Sequence, residues 1–163
     1  MSTAVETKAT EAPVEANVAD AVARALGPAV IELQALAVNG KQAHWHVRGD
    51  NFISIHELLD SVVDHGREFA DLAAERIVAL DRPVDARIAE VAAHTSQLPL
   101  PAGFLPWRDA VTAVVAGLDA TLAVVRSAIK ELDGVDLASQ DVAIEVERGL
   151  AKDRWFLAAH LDK

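Results

Sequence analysis

The stretch FISIHELLDSVVDHGREFADLAAERIVAL, residues 52–80, has the apolar spacing of one long amphipathic helix. Its apolar positions recur mostly every three, four or seven residues, at Phe52, Ile55, Leu59, Val62, Phe69, Leu72 and Ile77. Asn51 is a favourable N-cap in front of it, and Pro83 shortly after it cannot continue a helix. The sequence therefore predicts a helix from Asn51 to Leu80 with one buried face.

Two pairs of potential metal ligands lie on this helix at i,i+4 spacing: His56 with Asp60, and Asp71 with Glu75. From Asp60 to Asp71 the helix turns by about 1100° and rises by about 16 Å, so both pairs share a face but cannot bind one ion. Either there are two separate sites, or each pair is half of a site. In the second case a two-fold axis would complete each site from a second chain.

An alternative interpretation is that these are ordinary solvated helix residues. A carboxylate pair at i,i+4 spacing is slightly repulsive without a cation, and single pairs of this kind are common. The presence of both pairs on one face, with His44 just upstream, favours a metal site over this alternative.

The segment AHWHVRGDNFISIHELLD, residues 43–60, followed by DLAAERI, residues 71–77, resembles the Dps family of small ferritin-like proteins from starved bacterial cells. The family motifs are His-Trp, Gly-x-x-Phe, His-x-x-x-Asp and Asp-x-x-x-Glu-Arg. They match His44-Trp45, Gly49 to Phe52, His56 to Asp60, and Asp71 to Arg76. The match is specific over residues 41–80 and looser towards the C-terminus.

The resemblance implies a shell of twelve subunits built from two-fold dimers, with up to two irons at each site shared between subunits. It implies a ferroxidase that oxidises Fe²⁺ with hydrogen peroxide and stores the ferric mineral inside the shell, which protects against oxidative stress. The ligands that it implies are His44, His56 and Asp60 from one subunit and Asp71 and Glu75 from its mate. It also places Trp45 near the iron, and we expect this side chain to be packed near the centre.

The composition limits the function classes. A chain of 163 residues suits one domain, and the absence of cysteine excludes disulfides and cysteine-ligated zinc or iron–sulfur sites. The net charge of −10 opposes electrostatic attraction to DNA and suits a surface that attracts cations. We find no run of 18 apolar residues and no signal peptide, and so expect no membrane span and a cytoplasmic location, with nucleoid association as an alternative.

Residues 1–16 are expected to form a flexible tail, and residues 17–163 a single domain. The tail contains Pro13, three glutamates and one lysine, whereas Dps proteins that bind DNA through their tails have many Lys and Arg residues. We therefore expect DNA binding to be weak or absent.

Three further long helices and a short one complete an all-α prediction. The long helices are predicted at Val18–Val47, Trp107–Leu132 and Leu137–Leu161, and the short one at residues 84–95, within a Pro-rich crossover. A long crossover with its own helix favours a ferritin-like four-helix bundle over simple up-down topology. The positions predicted to face inward on the first helix are Val22, Leu26, Val30, Leu33, Leu36 and Val38.

Acidic residues cluster at the start of the last helix, at Asp136, Asp141 and Glu145. Acids are favourable near helix N-termini, which accounts for Asp136 and for Asp141 in part. The resemblance implies a different role, in which acids at this spacing line three-fold pores that admit iron.

The remaining histidines match no ligand of the implied centre. His46 has a second-site or water-mediated role as an alternative to a structural one, and we predict that His65 and His94 are surface residues. His160 is expected to pack with the C-terminal helix.

Two other functions compete with iron oxidation. The His/carboxylate site could instead hold a metal that activates water, which would make the chain a metal-dependent hydrolase of amide or acyl substrates on a Dps-like shell. The chain could also be a structural, DNA-compacting protein, but the basic tail that this role requires is missing.

Overall fold

The computed structural model describes residues 15–161, and the predicted tail, residues 1–16, lies outside it except for its last two residues. The helices are α1 (Ala16–His46), α2 (Phe52–Ala79), α3 (Ile88–His94), α4 (Trp107–Glu131) and α5 (Leu137–Ala158). Two short strands, β1 (Val47–Arg48) and β2 (Leu105–Pro106), pair in parallel. The predicted all-α fold with a short helix in the crossover is confirmed.

The four long helices pack as a bundle in which α1 contacts α2 and α4, and α5 contacts α2 and α4. The main core cluster includes Leu33, Leu36, Ile55, Leu59, Leu118, Leu122 and Leu150, each at most 1% exposed. A second cluster at the other end includes Val22, Leu26, Ile77, Leu80 and Leu132. The face of α2 predicted to be buried is therefore the face that packs into the bundle.

One predicted core position on α1 is wrong. Val38 is 67% exposed, whereas Leu36 is 1% exposed. Two residues turn a helix by about 200°, so a side chain two positions after a buried one points to the opposite side. Pro28 lies inside α1, and the helix continues through it.

The crossover is fastened to the bundle by a buried carboxylate. Glu32 on α1 is 3% exposed and accepts hydrogen bonds from the Thr95 hydroxyl at 2.9 Å and the Ser96 backbone N–H at 2.6 Å. The Gln97 side-chain amide donates to the Glu32 carbonyl oxygen at 2.7 Å and to the Thr121 hydroxyl at 3.1 Å. These bonds satisfy the buried polar groups and fix the path of the chain between α3 and β2.

Within residues 15–161, α1 and α4 are long and apolar enough to cross a membrane by length and composition alone. Buried core helices have the same property, and 61% of the most apolar window of α1 is buried in the bundle. The two helices are therefore weak evidence for a membrane span.

Candidate metal centre

Three of the predicted ligands meet where α1 ends and α2 begins. His44 lies in the last turn of α1, and His56 and Asp60 lie in the first three turns of α2. One donor atom from each of these side chains lies within 4.8 Å of the other two. In the part of the chain that the structure describes, this is the one such group of three or more His, Cys, Asp or Glu residues. Imidazole and carboxylate together suit Fe²⁺ and other first-row divalent metals.

The imidazole of each of the two histidines is bonded to the backbone carbonyl oxygen of the other. The Nδ1 atom of His44 lies 2.9 Å from the His56 carbonyl oxygen, and the Nδ1 atom of His56 lies 3.0 Å from the His44 carbonyl oxygen. The rings stack with centroids 3.6 Å apart. A carbonyl oxygen only accepts, so each Nδ1 carries the proton and each Nε2 keeps a lone pair. This tautomer leaves Nε2 as the atom of each ring that could bind a metal.

The loop between the two histidines is held by the end of the crossover. Val47 and Arg48 in β1 pair with Leu105 and Pro106 in β2. Gly49 follows with a φ of +120°, and a Cβ added there would lie 2.9 Å from Cδ1 of Trp107. The backbone conformation and the close approach of the indole both require glycine at this position.

Aromatic side chains surround this loop. The guanidinium of Arg48 lies 4.0 Å from the centroid of the Phe104 ring. The Phe52 ring lies 5.0 Å from the His56 ring, which is the spacing of a packed aromatic pair. The Gly-x-x-Phe motif therefore works locally, because its glycine allows the turn and its phenylalanine packs against a ligand.

Asp60 is held by a cation of the chain itself. The Lys41 ammonium donates to Oδ1 of Asp60, and Nδ1 of His44 lies 3.3 Å from the same oxygen. The hydrogen bond from Lys41 lowers the pKa of Asp60 and outweighs the opposing effect of desolvation. Asp60 is therefore a carboxylate near neutral pH, and Lys41 contacts one of its two oxygens.

Asp71 and Glu75 do not join this cluster within one chain. Both are exposed on α2, about 16 Å further along the helix axis from Asp60. One chain therefore presents a cluster of three ligands and, separately, an exposed carboxylate pair. Their combination in one centre requires a second subunit and stays a prediction.

Trp45 is 58% exposed in the single chain, so its packing near a centre shared with a second subunit stays a prediction. It follows His44 on α1, and one residue turns the helix by about 100°, away from the buried imidazole. The Nδ1 atom of His46 lies 2.8 Å from the Gln42 carbonyl oxygen one turn earlier. A role of Trp45 close to a metal, and a second-site role of His46, stay predictions.

Asp136 is the N-cap of α5. Its carboxylate accepts from the Ser139 backbone N–H at 3.0 Å and from Nη2 of Arg76 at 2.7 Å. Burial raises the pKa of Asp136, but the hydrogen bonds from Ser139 and Arg76 outweigh it, and the net shift is downward. The interpretation as an acid at a helix N-terminus is therefore confirmed for Asp136. Asp141 and Glu145 are exposed, and their predicted place at a pore is untested.

His65, predicted to be a surface residue, has a side chain that is 38% exposed and bonded to a buried carboxylate. Its Nδ1 atom lies 2.8 Å and 3.0 Å from the two carboxylate oxygens of Asp153, which is 5% exposed. Burial raises the pKa of Asp153, and the hydrogen bond from His65 opposes that rise. His94, by contrast, is 66% exposed, as predicted.

Two contacts of the histidines, Lys41 beside His44 through Asp60 and Asp153 with His65, were not predicted from the sequence. Lys41 lies three residues before His44 on α1, a spacing that puts both side chains on one face and signals a shared site. Asp153 is 88 residues from His65, and no local pattern connects them. The first could have been found from helical spacing, whereas the second depends on how α5 packs against α2.

A family model described as a ferritin-like domain matches residues 28–163. A DNA protection during starvation protein of Mycolicibacterium smegmatis is 36% identical over 127 residues, covering 75% of this chain and 67% of that protein. The protein of the same name from Agrobacterium fabrum is 28% identical over 160 residues, covering 98% of this chain and 99% of that protein.

Solved structures agree with these sequence matches. The structure of Dps from Microbacterium arborescens in its high-iron form is 57% identical to this chain, with a TM-score of 0.89. It covers 92% of this chain, and this chain covers 98% of it. A Mycobacterium smegmatis Dps structure is 28% identical, with a TM-score of 0.88 over 96% of each chain.

Proposed function

This chain belongs to the Dps family of ferritin-like proteins, and from that premise we propose that it is a ferroxidase that stores iron. The substrates are Fe²⁺ and hydrogen peroxide. The product is ferric mineral held in a hollow shell of twelve subunits, and the location is the cytoplasm of a bacterial cell. The named relatives protect DNA during starvation, and removal of iron and peroxide is a way to protect DNA that needs no basic tail.

The observation that carries this proposal is the incomplete centre. His44, His56 and Asp60 converge, but they supply three ligands on one side only. Asp71 and Glu75 lie exposed on the same face of α2, at a distance that no single ion spans. A two-fold axis that sets two α2 helices antiparallel brings the cluster of one subunit to the carboxylate pair of the other, and generates two equal sites per dimer.

The residues have distinct roles in this centre. His44 and His56 bind Fe²⁺ through Nε2, because their Nδ1 protons are engaged by backbone carbonyl oxygens. Asp60 provides a carboxylate that is ionised near neutral pH, and Glu75 of a second subunit provides another that can bridge two irons. Lys41 leaves Asp60 or shares it when a cation binds, since Lys41 contacts one of the two carboxylate oxygens.

The redox step balances with two irons. Each Fe²⁺ loses one electron to the peroxide, the O–O bond breaks, and two protons complete two water molecules. Because both electrons are supplied together, no hydroxyl radical is released. Fe³⁺ then hydrolyses and deposits as mineral on interior carboxylates. Asp141 and Glu145, which are exposed near the start of α5, are proposed to line the pores through which Fe²⁺ enters.

The test is to add Fe²⁺ anaerobically to the metal-free protein, then peroxide, and to follow ferric absorbance and particle size together. The proposal expects oxidation faster than in buffer, about two irons consumed per peroxide, and a particle of about twelve subunits. No acceleration over buffer, or a particle that stays a dimer, would refute it. Glu75→Ala should slow oxidation in an intact shell, whereas Glu68→Ala, an exposed glutamate on the same helix, should not.

A further inference from the structure

We propose that Ser61, His65 and Asp153 form a second, metal-independent site that cleaves esters of short-chain acids. The three residues line one cavity of about 170 Å³ between α2 and α5. None of them belongs to the candidate metal centre, and the proposal uses none of the iron chemistry. The site combines one oriented imidazole, one neighbouring hydroxyl and the apolar walls of the cavity.

The imidazole is oriented by a buried carboxylate. Both oxygens of Asp153 lie within 3.0 Å of Nδ1 of His65, and Asp153 is 5% exposed. Because a carboxylate accepts, Nδ1 carries the proton, and Nε2 is left as a base. The His65 side chain is 38% exposed, so Nε2 can meet a substrate. The groups follow the order Asp, Nδ1, Nε2 of a serine hydrolase triad.

The hydroxyl lies one turn before the imidazole. Ser61 and His65 have i,i+4 spacing on α2, which puts their Cβ atoms about 6 Å apart. Histidine side chains on a helix lean towards its N-terminus, over the residue four positions earlier. The Ser61 hydroxyl donates to the Glu57 carbonyl oxygen at 3.4 Å, a long bond that leaves the hydroxyl available to another partner in the cavity.

The cavity walls define the substrate class. The apolar lining residues are Leu58, Val62, Phe156 and Leu157. They suit a short acyl chain, which a cavity of about 170 Å³ can accommodate. Lys152 lines the same cavity, with its ammonium 5.5 Å from the Phe156 ring. A positive charge at this place stabilises the oxyanion that forms when an ester carbonyl is attacked.

The reaction has two balanced steps. In the first, the Ser61 oxygen attacks the ester carbonyl, Nε2 of His65 takes the hydroxyl proton, and the ester C–O bond breaks. His65 gives that proton to the leaving alkoxide, so an alcohol departs and Ser61 is acylated. In the second, His65 takes a proton from water, the water oxygen attacks the acyl group, and the acid is released as Ser61 regains its proton.

The decisive experiment treats the assembled protein, with a chelator present, with a fluorophosphonate probe and with p-nitrophenyl butyrate. We expect covalent modification of Ser61, located by peptide mass mapping. Ser61→Ala should lose the modification and about 100-fold in ester turnover. Ser127→Ala is the matched control, because Ser127 is an exposed helix serine bonded to Glu131 outside the cavity, and it should keep both.

The imidazole and carboxylate are tested through the pH profile. His65→Gln should abolish the rise of turnover with pH, and Asp153→Asn should lower turnover across that profile while the shell stays assembled. An unmodified Ser61 in the wild-type protein overturns the proposal. So does equal turnover in Ser61→Ala, which would show that other groups hydrolyse the ester. Because Ser61 is exposed, its replacement by alanine should leave the fold intact. A loss of turnover in this variant can therefore be assigned to the missing hydroxyl.

Discussion

Two His/Asp arrangements share α2 and differ in the partners of their imidazoles and in the exposure of their carboxylates. At the candidate metal centre, the imidazole Nδ1 atoms of His44 and His56 bind backbone carbonyl oxygens, and the Asp60 side chain is 44% exposed. At the second site, Nδ1 of His65 binds the carboxylate of Asp153, which is 5% exposed. The first carboxylate is partly exposed and paired with the Lys41 ammonium, whereas the second is buried and paired with an imidazole.

The difference shows that residue type alone does not identify a metal centre. The partner of Nδ1 decides whether the carboxylate is a ligand or an orienting group. The direction of each pKa agrees: the hydrogen bond from Lys41 lowers that of Asp60, whereas burial raises that of Asp153. A partly exposed, ionised carboxylate such as Asp60 suits an incoming cation better than the buried Asp153.

The largest effect is expected at the exposed carboxylate. Asp60→Ala removes an ionised ligand and should slow Fe²⁺ oxidation by at least tenfold, about the effect of losing one ordered metal ligand contact. Asp64→Ala, one turn later and exposed, is the control, and its rate should match the wild type. Stopped-flow ferric absorbance with particle sizing measures both. Equal rates in the two variants would remove Asp60 from the centre.

The next effect concerns the loop between α1 and α2, which lies between His44 and His56 in the sequence. Gly49→Ala forces a side chain into a backbone with φ of +120° and against Trp107, which should cost about 2 kcal/mol of unfolding free energy. It should also weaken Co²⁺ binding at His44 and His56 and leave ester cleavage at Ser61 unchanged. Gly103→Ala, also at positive φ but with open space, separates backbone strain from the indole contact. Equal Co²⁺ binding in wild type and Gly49→Ala would contradict the positioning role of the loop.

A similar or smaller loss of unfolding free energy is expected when the buried carboxylate of Asp153 loses its hydrogen bond from His65. His65→Leu leaves Asp153 without its hydrogen bond and should cost about 2 kcal/mol of unfolding free energy near neutral pH. The double variant with Asp153→Leu should recover much of this loss, because no buried charge remains. Chemical denaturation of the three proteins measures the coupling. A double variant no more stable than His65→Leu would show that the pair does not control stability.

The smallest effect is a pH dependence. Burial raises the folded-state pKa of Asp153 above its unfolded value of about 4, so its contribution to stability is fully present below that value. This contribution is lost as the pH rises through the folded-state pKa. Asn cannot titrate, so the stability advantage of wild type over Asp153→Asn should shrink from pH 4 to pH 8. Thermal unfolding of both proteins across this pH range measures the difference in stability. A difference that grows with pH would contradict the raised pKa of Asp153.

Much of the fold follows from helical spacing. The observed bounds of α2 differ from the predicted Asn51 to Leu80 by one residue at each end. The last helix ends at Ala158, earlier than the predicted Leu161, since helix ends depend on local capping rather than on apolar period. The prediction for Val38 was wrong because an apolar residue on a helix need not face the core. Val38 lies two residues after the buried Leu36, and this spacing places it on the opposite side of the helix.

The candidate site could be predicted from the sequence only for residues that lie on one helix or close to that helix along the chain. His44, His56 and Asp60 come together because a tight loop joins α1 to α2, and spacing along the chain reports this. The reciprocal imidazole bonds were not predictable, because they depend on the exact turn that Gly49 allows. The Asp153 partner of His65 was not predictable either, because the packing of α5 against α2 brings together residues that are distant in sequence.

The sharing of each centre between two subunits is tested most directly by mixing two inactive variants. Asp60→Ala breaks the cluster of its own chain, and Glu75→Ala breaks the carboxylate pair. In a mixed dimer one centre receives both changes and the other receives neither. Random mixing after unfolding and refolding should therefore restore about a quarter of the wild-type oxidation rate. Shells shown by mass spectrometry to contain both chains, yet no more active than either variant alone, would contradict a shared centre.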